Sequence, residues 1–315
     1  MTQDVTVIIP VHNRQSLVLD AIDSIAAQTV LPRQVIIVDD GSTDNTVRTI
    51  NKWLTDNHPI QKNMHCQFRL IEQPKQNAAA ARRHGMHIAS PTKFIAFLDS
   101  DDIWPTNFIE RTLAALHRVP DSIAASTDRQ YIDEHRNLFK FDNCTELARS
   151  PLKWLFRHDA GVASCSVFSW DAITAAGGWD QAYEIAEDAV LFSKITTLGK
   201  WAHAPGPPVT FRHNKSGLGS DEGNLSRKHV DRFLQWALTH EKIYYLLASQ
   251  ADNAELHCMR LHIGRYWYRG GKQLETDGIS TKAADCFRKA LQWAPSLVRP
   301  RIRLLRMRQP QGWAS

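Results

Sequence analysis

Apolar and polar residues alternate in two regimes along this chain. Up to Asp102, short β-branched runs are separated by stretches with apolar residues at every third or fourth position. Residues 5–9 (VTVII), closed by Pro10, read as a buried strand, as do residues 34–38 (QVIIV), 68–71 and 93–98. Between them, residues 16–28 put Leu17, Ala21, Ile25 and Gln28 on one helical face, and residues 43–54 do the same with Val47, Ile50 and Leu54. Residues 77–89 form an Ala-rich helical segment. Strands alternating with helices predict right-handed βαβ units and a parallel sheet. The pattern is less regular over 121–178, with strand-like residues at 163–170, and residues 187–197 predict a helix. Residues 203–224, rich in Gly, Pro, Ser and Asn, predict a long loop or a domain boundary.

Beyond Leu225 the pattern is helical throughout, with amphipathic segments at 230–248, 257–274 and 281–293. Residues 283–295 (AADCFRKALQWAP) resemble the second helix of a tetratricopeptide repeat, in which small and aromatic residues alternate before a Pro. Such arrays need about three units for stability, so an ordinary helical hairpin is the competing reading. The expected division is 1–222 for an α/β domain and 223–315 for an all-α region.

A length of 315 residues supports two domains, and 43% hydrophobic with 23% charged residues excludes wholesale disorder, a fibre or a small disulfide scaffold. The five cysteines are irregularly spaced and include no CxxC, so reduced thiols in a cytosolic compartment are expected rather than a disulfide framework or a Cys-based zinc site. The first residues lack the pattern of a signal peptide, and no run approaches the ~20 apolar residues that span a bilayer. A cytoplasmic protein is expected, with peripheral contact at the cytoplasmic face of an inner membrane as an extension of that reading. The net charge of +5 permits an anionic partner. Arg299, Arg301, Arg303, Arg306 and Arg308 crowd the end of the chain.

The acids carry the chemistry. In α/β sheets, ligands bind beyond the carboxyl ends of the strands. Two strands here end in acids: Asp39 and Asp40 after Val38, and Asp99, Asp101 and Asp102 after Leu98. Asp99 and Asp101, two apart, would share one side of an extended chain. A pair of hard oxygen donors suits Mg²⁺ or Mn²⁺, which would offset the mutual repulsion of the acids. The competing reading is that such acids cap turns and helices, which suits Ser42 and Asp44.

These runs resemble the family 2 glycosyltransferases, on four ordered blocks: VIIPVHNR at 7–14, VDDGSTDNT at 38–46, FLDSDDIW at 97–104, and GGWD at 177–180 followed by Glu187-Asp188. The resemblance implies a GT-A fold, a Rossmann-like nucleotide-diphospho-sugar transferase domain, for roughly the first two thirds of the chain. It implies that Pro10, His12 and Arg14 pack at the nucleotide, that Asp39 binds the base with Asp40 beside it, and that Arg82 lies near the diphosphate. Asp99 and Asp101 match the DxD pair that holds a diphosphate-bound Mn²⁺ or Mg²⁺, with Ser100 between them at the nucleotide sugar. Asp188 matches the catalytic base, and Glu187 takes that role if the register differs by one. Trp179 and Asp180 are acceptor-side candidates, Trp179 either stacking on a sugar face or buried in the core. His213 is a candidate metal ligand, and residues 215–220 suit a lid. The segment ARRHG at 81–85 departs from the family's Ala-Arg-Asn-x-Gly in having Arg83 at the Asn position, and residues 77–80 lack the preceding glycine.

The implied activity is inverting, metal-dependent transfer of a sugar from a nucleotide-diphosphate donor, a UDP-sugar above all, to a hydroxyl of a glycan or lipid-linked acceptor. Surface polysaccharide or lipopolysaccharide synthesis is the implied setting. A degenerate transferase-like scaffold acting through its helical region is the alternative, and a phosphatase or nucleotidyltransferase with strand-end acids is a third reading. Nucleic acid is not an expected partner, because no binding module surrounds the Arg-rich end. That end fits peripheral membrane contact or a protein partner.

Overall fold

The run at residues 5–9 becomes the centre of strand β1 (Thr2–Val11), where Val5, Val7, Ile8 and Ile9 are all inaccessible to solvent. The computed structural model describes residues 2–57, 66–158, 160–183, 185–212 and 231–307. Strand β2 (Leu31–Asp40) pairs parallel with β1, β3 (Gln67–Gln73) lies parallel beyond β2, and β4 (Phe94–Phe97) runs parallel on the other side of β1. The intervening helices are α1 (Val18–Ala26), α2 (Thr46–Asp56) and α3 (Ala78–Ile88). Helix α3 begins where the Asn77 side chain accepts a hydrogen bond from the Ala80 amide at 2.9 Å, satisfying one of the unpaired first-turn donors. It lies close on the sheet because of Gly85: a Cβ there would sit 2.7 Å from Ile8 Cγ2 and 3.2 Å from Val38 Cγ2.

The parallel pairing expected from the βαβ alternation holds for β1 to β4, and the sheet becomes mixed beyond β4. The seven strands run β3-β2-β1-β4-β8-β5-β9, where β5 is Ser122–Ser126, β8 is Ser166–Ser169 and β9 is Lys200–His203. Strand β8 is antiparallel to both β4 and β5, while β9 is parallel to β5. The βαβ alternation that predicts parallel pairing ends at α4 (Phe108–Arg118), and antiparallel pairs need no crossover helix.

A second sheet, in the order β10-β6-β7, is built from β6 (Arg129–Ile132), β7 (Leu138–Asp142) and β10 (Val209–Arg212). Strand β10 lies inside the stretch read from sequence as loop, which is a correction: the Gly-Pro-Pro at 206–208 is a turn that leads into a short strand. Arg129, 1% exposed, anchors this sheet by pairing with Asp142 at 2.9 Å and lying 4.7 Å over the Trp154 ring. Short helices α5 (Thr145–Arg149), α6 (Pro151–Arg157), α7 (Trp170–Ala175) and α8 (Glu187–Ile195) complete this part of the chain.

Among the described residues four helices follow: α9 (Arg232–Leu247), α10 (Asn253–Thr276), α11 (Ser280–Trp293) and α12 (Val298–Met307). Asp252 and Glu255 form a capping box at the start of α10. Ala237, Ile263, Tyr266, Trp267, Cys286 and Ala290 form a core of their own. Glu241 Oε1 accepts from the indole N–H groups of both Trp267 and Trp293, each at 2.6 Å, which ties α9 to α10 and α11. Contacts divide the chain into two units, Met1–Leu155 with Ala160–Asn224, and Phe156–Asp159 with Leu225–Ser315. All five cysteines are buried thiols. Among the described residues no helix is long and apolar enough to cross a membrane.

Candidate active site

Parallel pairing aligns the carboxyl ends of β1, β2 and β4, with Val11 opposite Asp39 and the Leu98 amide bonded to the Ile8 carbonyl at 3.0 Å. The loops leaving β1 and β2 are laced together. Asn13, in the left-handed region at φ 49°, gives its amide to Ser42 Oγ and takes the Thr43 amide on its Oδ1, at 2.9 and 2.8 Å. The Arg14 amide donates to Thr46 Oγ1 at 2.8 Å.

The two acids after β2 are used differently. Both oxygens of Asp40 are occupied, accepting from Gln73 Nε2, the Gln76 amide and Lys75 Nζ at 2.7–2.8 Å, so this residue fixes the loop after β3. Asp39, 1% exposed, accepts the Ser42 amide on Oδ2, while its Oδ1 is buried without a hydrogen-bond partner. A buried acceptor left unmade is costly, and a ligand N–H would satisfy it. His12 is half-buried nearby, and its pKa is lowered by burial and then by the charge of Lys75, which favours a neutral imidazole. Pro10 is buried within β1 opposite Val38.

Asp99 and Asp101 do not lie in extended chain, contrary to the sequence expectation. The Asp102 amide bonds back to the Asp99 carbonyl at 3.0 Å, closing a tight turn with Ser100 buried inside it. The two carboxylates then meet different cations: Asp99 Oδ1 is 2.6 Å from Arg82 Nη2, and Asp101 Oδ2 is 3.8 Å from Arg14 Nε. Asp102 is 3% exposed and accepts the Arg212 amide. Its pKa is pushed well up by burial and then by Asp101 and Asp99, and that of Asp101 is raised by burial against the pull of Arg14.

Arg82 gathers the remaining blocks. Its Nη1 pairs with Glu187 Oε1 at 3.1 Å, and its guanidinium lies 4.3 Å over the ring of Trp179. Trp179 is 1% exposed, edge-on to Phe97 and Phe192, so it is a core residue that supports Arg82 and presents no face to a sugar. Asp180 caps a turn by accepting the Ala182 amide at 3.0 Å. Gly177 and Gly178, at φ 90° and 67°, hold the bend that brings this block in. Ala186, at φ 61°, adopts the same left-handed region without being glycine, immediately before Glu187. Asp188, next in line, accepts the Ala189 amide at 2.7 Å, and its pKa is raised to about 7 by burial and then by the charge of Glu187. His213 and residues 215–220 lie outside the described residues.

Sequence spacing missed Ser164, whose hydroxyl accepts the Asp99 amide at 3.0 Å from 65 residues away. It also missed the extent of Arg82's reach, since no local pattern links a helix in the first half to residue 187. Among the described residues no three His, Cys, Asp or Glu side chains converge where a metal ion could sit. Asp99 and Asp101 are nonetheless of the donor class that a hard divalent cation takes. They are oxygen donors in one turn, and such ions keep positions for phosphate and water.

The family model described as glycosyl transferase family 2 matches residues 6–163. A chondroitin synthase of Pasteurella multocida (strain Pm70) is 27% identical over 253 residues, which cover 80% of this chain and 23% of that one. The chain spans less than half the length of the curated relatives it matches. A structure of S. aureus TarS 1–349 in complex with UDP-GlcNAc superposes with a TM-score of 0.66 at 14% identity, over 96% of this chain and 88% of that one. The mannosyltransferase PcManGT from Pyrobaculum calidifontis, in complex with GDP-Man and Mn²⁺, gives a TM-score of 0.57 at 19% identity, over 98% and 79%. These likenesses show the fold, a GT-A domain followed by helices. With half of its length matched by the family model, the chain belongs to the glycosyl transferase family 2.

Proposed function

We propose that this protein transfers a sugar, with inversion, from a nucleotide-diphosphate donor to a hydroxyl of a glycan or lipid-linked acceptor in surface polysaccharide or lipopolysaccharide synthesis. The observation that carries the reading is the convergence on Arg82 of Asp99 and Glu187, which lie 17 and 105 residues away in sequence. Asp39 accepts an N–H of the base on its open Oδ1, which suits a uracil edge, and the neutral His12 lies alongside. Arg14 and Arg82 place positive charge where the departing diphosphate gains negative charge, the term that electrostatic catalysis exploits most. Asp99 and Asp101 would hold Mn²⁺ or Mg²⁺, which when bound neutralises the diphosphate as a Lewis acid.

Asp188 is the base. Glu187 is held by Arg82, whereas the Asp188 carboxyl has a raised affinity for a proton, as general bases working near neutral pH require. It takes the acceptor hydroxyl proton as that oxygen attacks the anomeric carbon from the face opposite the diphosphate. UDP-GlcNAc in TarS and Mn²⁺ in PcManGT support the classes of donor and cation.

A thermal-shift screen of nucleotide sugars tests the reading. At about a hundredfold over Kd a donor contributes ~2.7 kcal/mol, so one UDP-sugar should raise Tm by roughly 5–10 °C in the presence of Mn²⁺ and by much less with a chelator. No shift with any nucleotide sugar would overturn it.

A further inference from the structure

Helix α12 presents an outward face unlike that of a solvated helix. It meets its own unit along buried Pro300 and half-buried Leu304 and Met307, with Arg303 Nη1 bonded to Glu275 Oε2 at 2.8 Å. The opposite face of such a helix is ordinarily polar. Here it carries Val298, Ile302 and Leu305, spaced four and three apart on one stripe and 64%, 43% and 63% exposed. At 100° per residue, Arg301 flanks that ridge on one side and Arg299 and Arg306 on the other. All three are exposed, and among the described residues none pairs with an acid. The ten residues of the helix contain no Asp or Glu.

We propose that α12 docks this protein on an anionic lipid surface. The ridge enters the boundary between headgroups and acyl chains, and the three guanidinium groups engage lipid phosphates from both sides. An apolar stripe bordered by cations is the arrangement that interfacial helices use, and the charge selects an anionic surface over a neutral one. A helix covered by another protein segment would need the ridge but not cations on both of its flanks with no acid among them. The inference is independent of the catalytic assignment, since it uses no residue of the site.

The test is co-sedimentation of the full chain with vesicles of phosphatidylcholine alone or with about one third phosphatidylglycerol. Each exposed Arg near such a surface contributes about a fivefold gain, so three predict a partition coefficient roughly a hundredfold higher on the anionic vesicles. Raising the salt to about 0.5 M should abolish most of that preference. The double variant Ile302→Asp/Leu305→Asp should fall to background, and Arg299→Gln/Arg301→Gln/Arg306→Gln to the level on neutral vesicles. Both alter exposed positions, and circular-dichroism melting checks that they fold. Equal partition onto both vesicle types, or undiminished binding by the Asp variant, would overturn the proposal. So would a dimer in sedimentation velocity that the Asp variant loses while neither protein binds vesicles; a second copy would then be the occupant.

Discussion

Asp188 and Glu187 are neighbours in the chain and differ in what holds them. Glu187 faces the guanidinium of Arg82, while Asp188 is burdened by burial and by its neighbour's charge until its pKa reaches about 7. Replacing Asp188 by Asn should therefore lower kcat by about 10²–10⁴-fold, the usual contribution of a general base. The donor-induced rise in Tm should be left intact. The sign of the pH dependence follows from the same shift: below about pH 7 the carboxyl is protonated and cannot accept a proton. We predict that log kcat/KM falls by one per pH unit under that point in the wild type, and that this limb is missing from the residual activity of Asp188→Asn. An unchanged rate in the variant would remove Asp188 from the mechanism. Asp39, Asp40, Asp99 and Asp101 were legible as candidates because acids at strand ends are conspicuous, whereas Arg82, Glu187 and Asp188 were reached only through the family resemblance. What their side chains meet was not, since Asp40 looks in sequence like a second ligand acid and is fully engaged by Gln73, Lys75 and Gln76.

At the scale of elements, α3 is the piece on which the site depends, because its position sets where Arg82 can reach. Gly85 permits that position. Gly85→Val would drive its Cβ into Ile8 and Val38, both inaccessible to solvent, and overpacking of this kind costs about 1–3 kcal/mol. The midpoint in urea should drop with m unchanged. Arg83→Ala, exposed on the same helix, should stay within about 0.5 kcal/mol of the wild type. Equal stability of the two variants would mean that α3 does not rest on β1 and β2 at this glycine. Strands β1 and β2 were legible because a strand buried on both faces reads as a continuous apolar run. The short strands β6, β7 and β10 were not: Leu138, Phe139 and Phe141 of β7 are large apolar residues left exposed, so neither alternation nor a buried run marks them.

For the whole molecule, the modest excess of positive charge resolves into two separate features. One is an acid cluster after β4 that Arg14 and Arg82 only partly offset. The other is α12, where four arginines stand in ten residues without an acid. Family membership rests on the match of the family model to residues 6–163, and the helical unit carries a surface chemistry that this match does not reach. With Asp188 and the diphosphate on opposite faces of the transferred sugar, as proposed, transfer inverts the anomeric carbon. Proton NMR of the product tests this most directly, through the anomeric coupling of a sugar transferred from an α-linked nucleotide donor. Inversion gives a β linkage in the first product formed. An α linkage, with configuration retained, would contradict it.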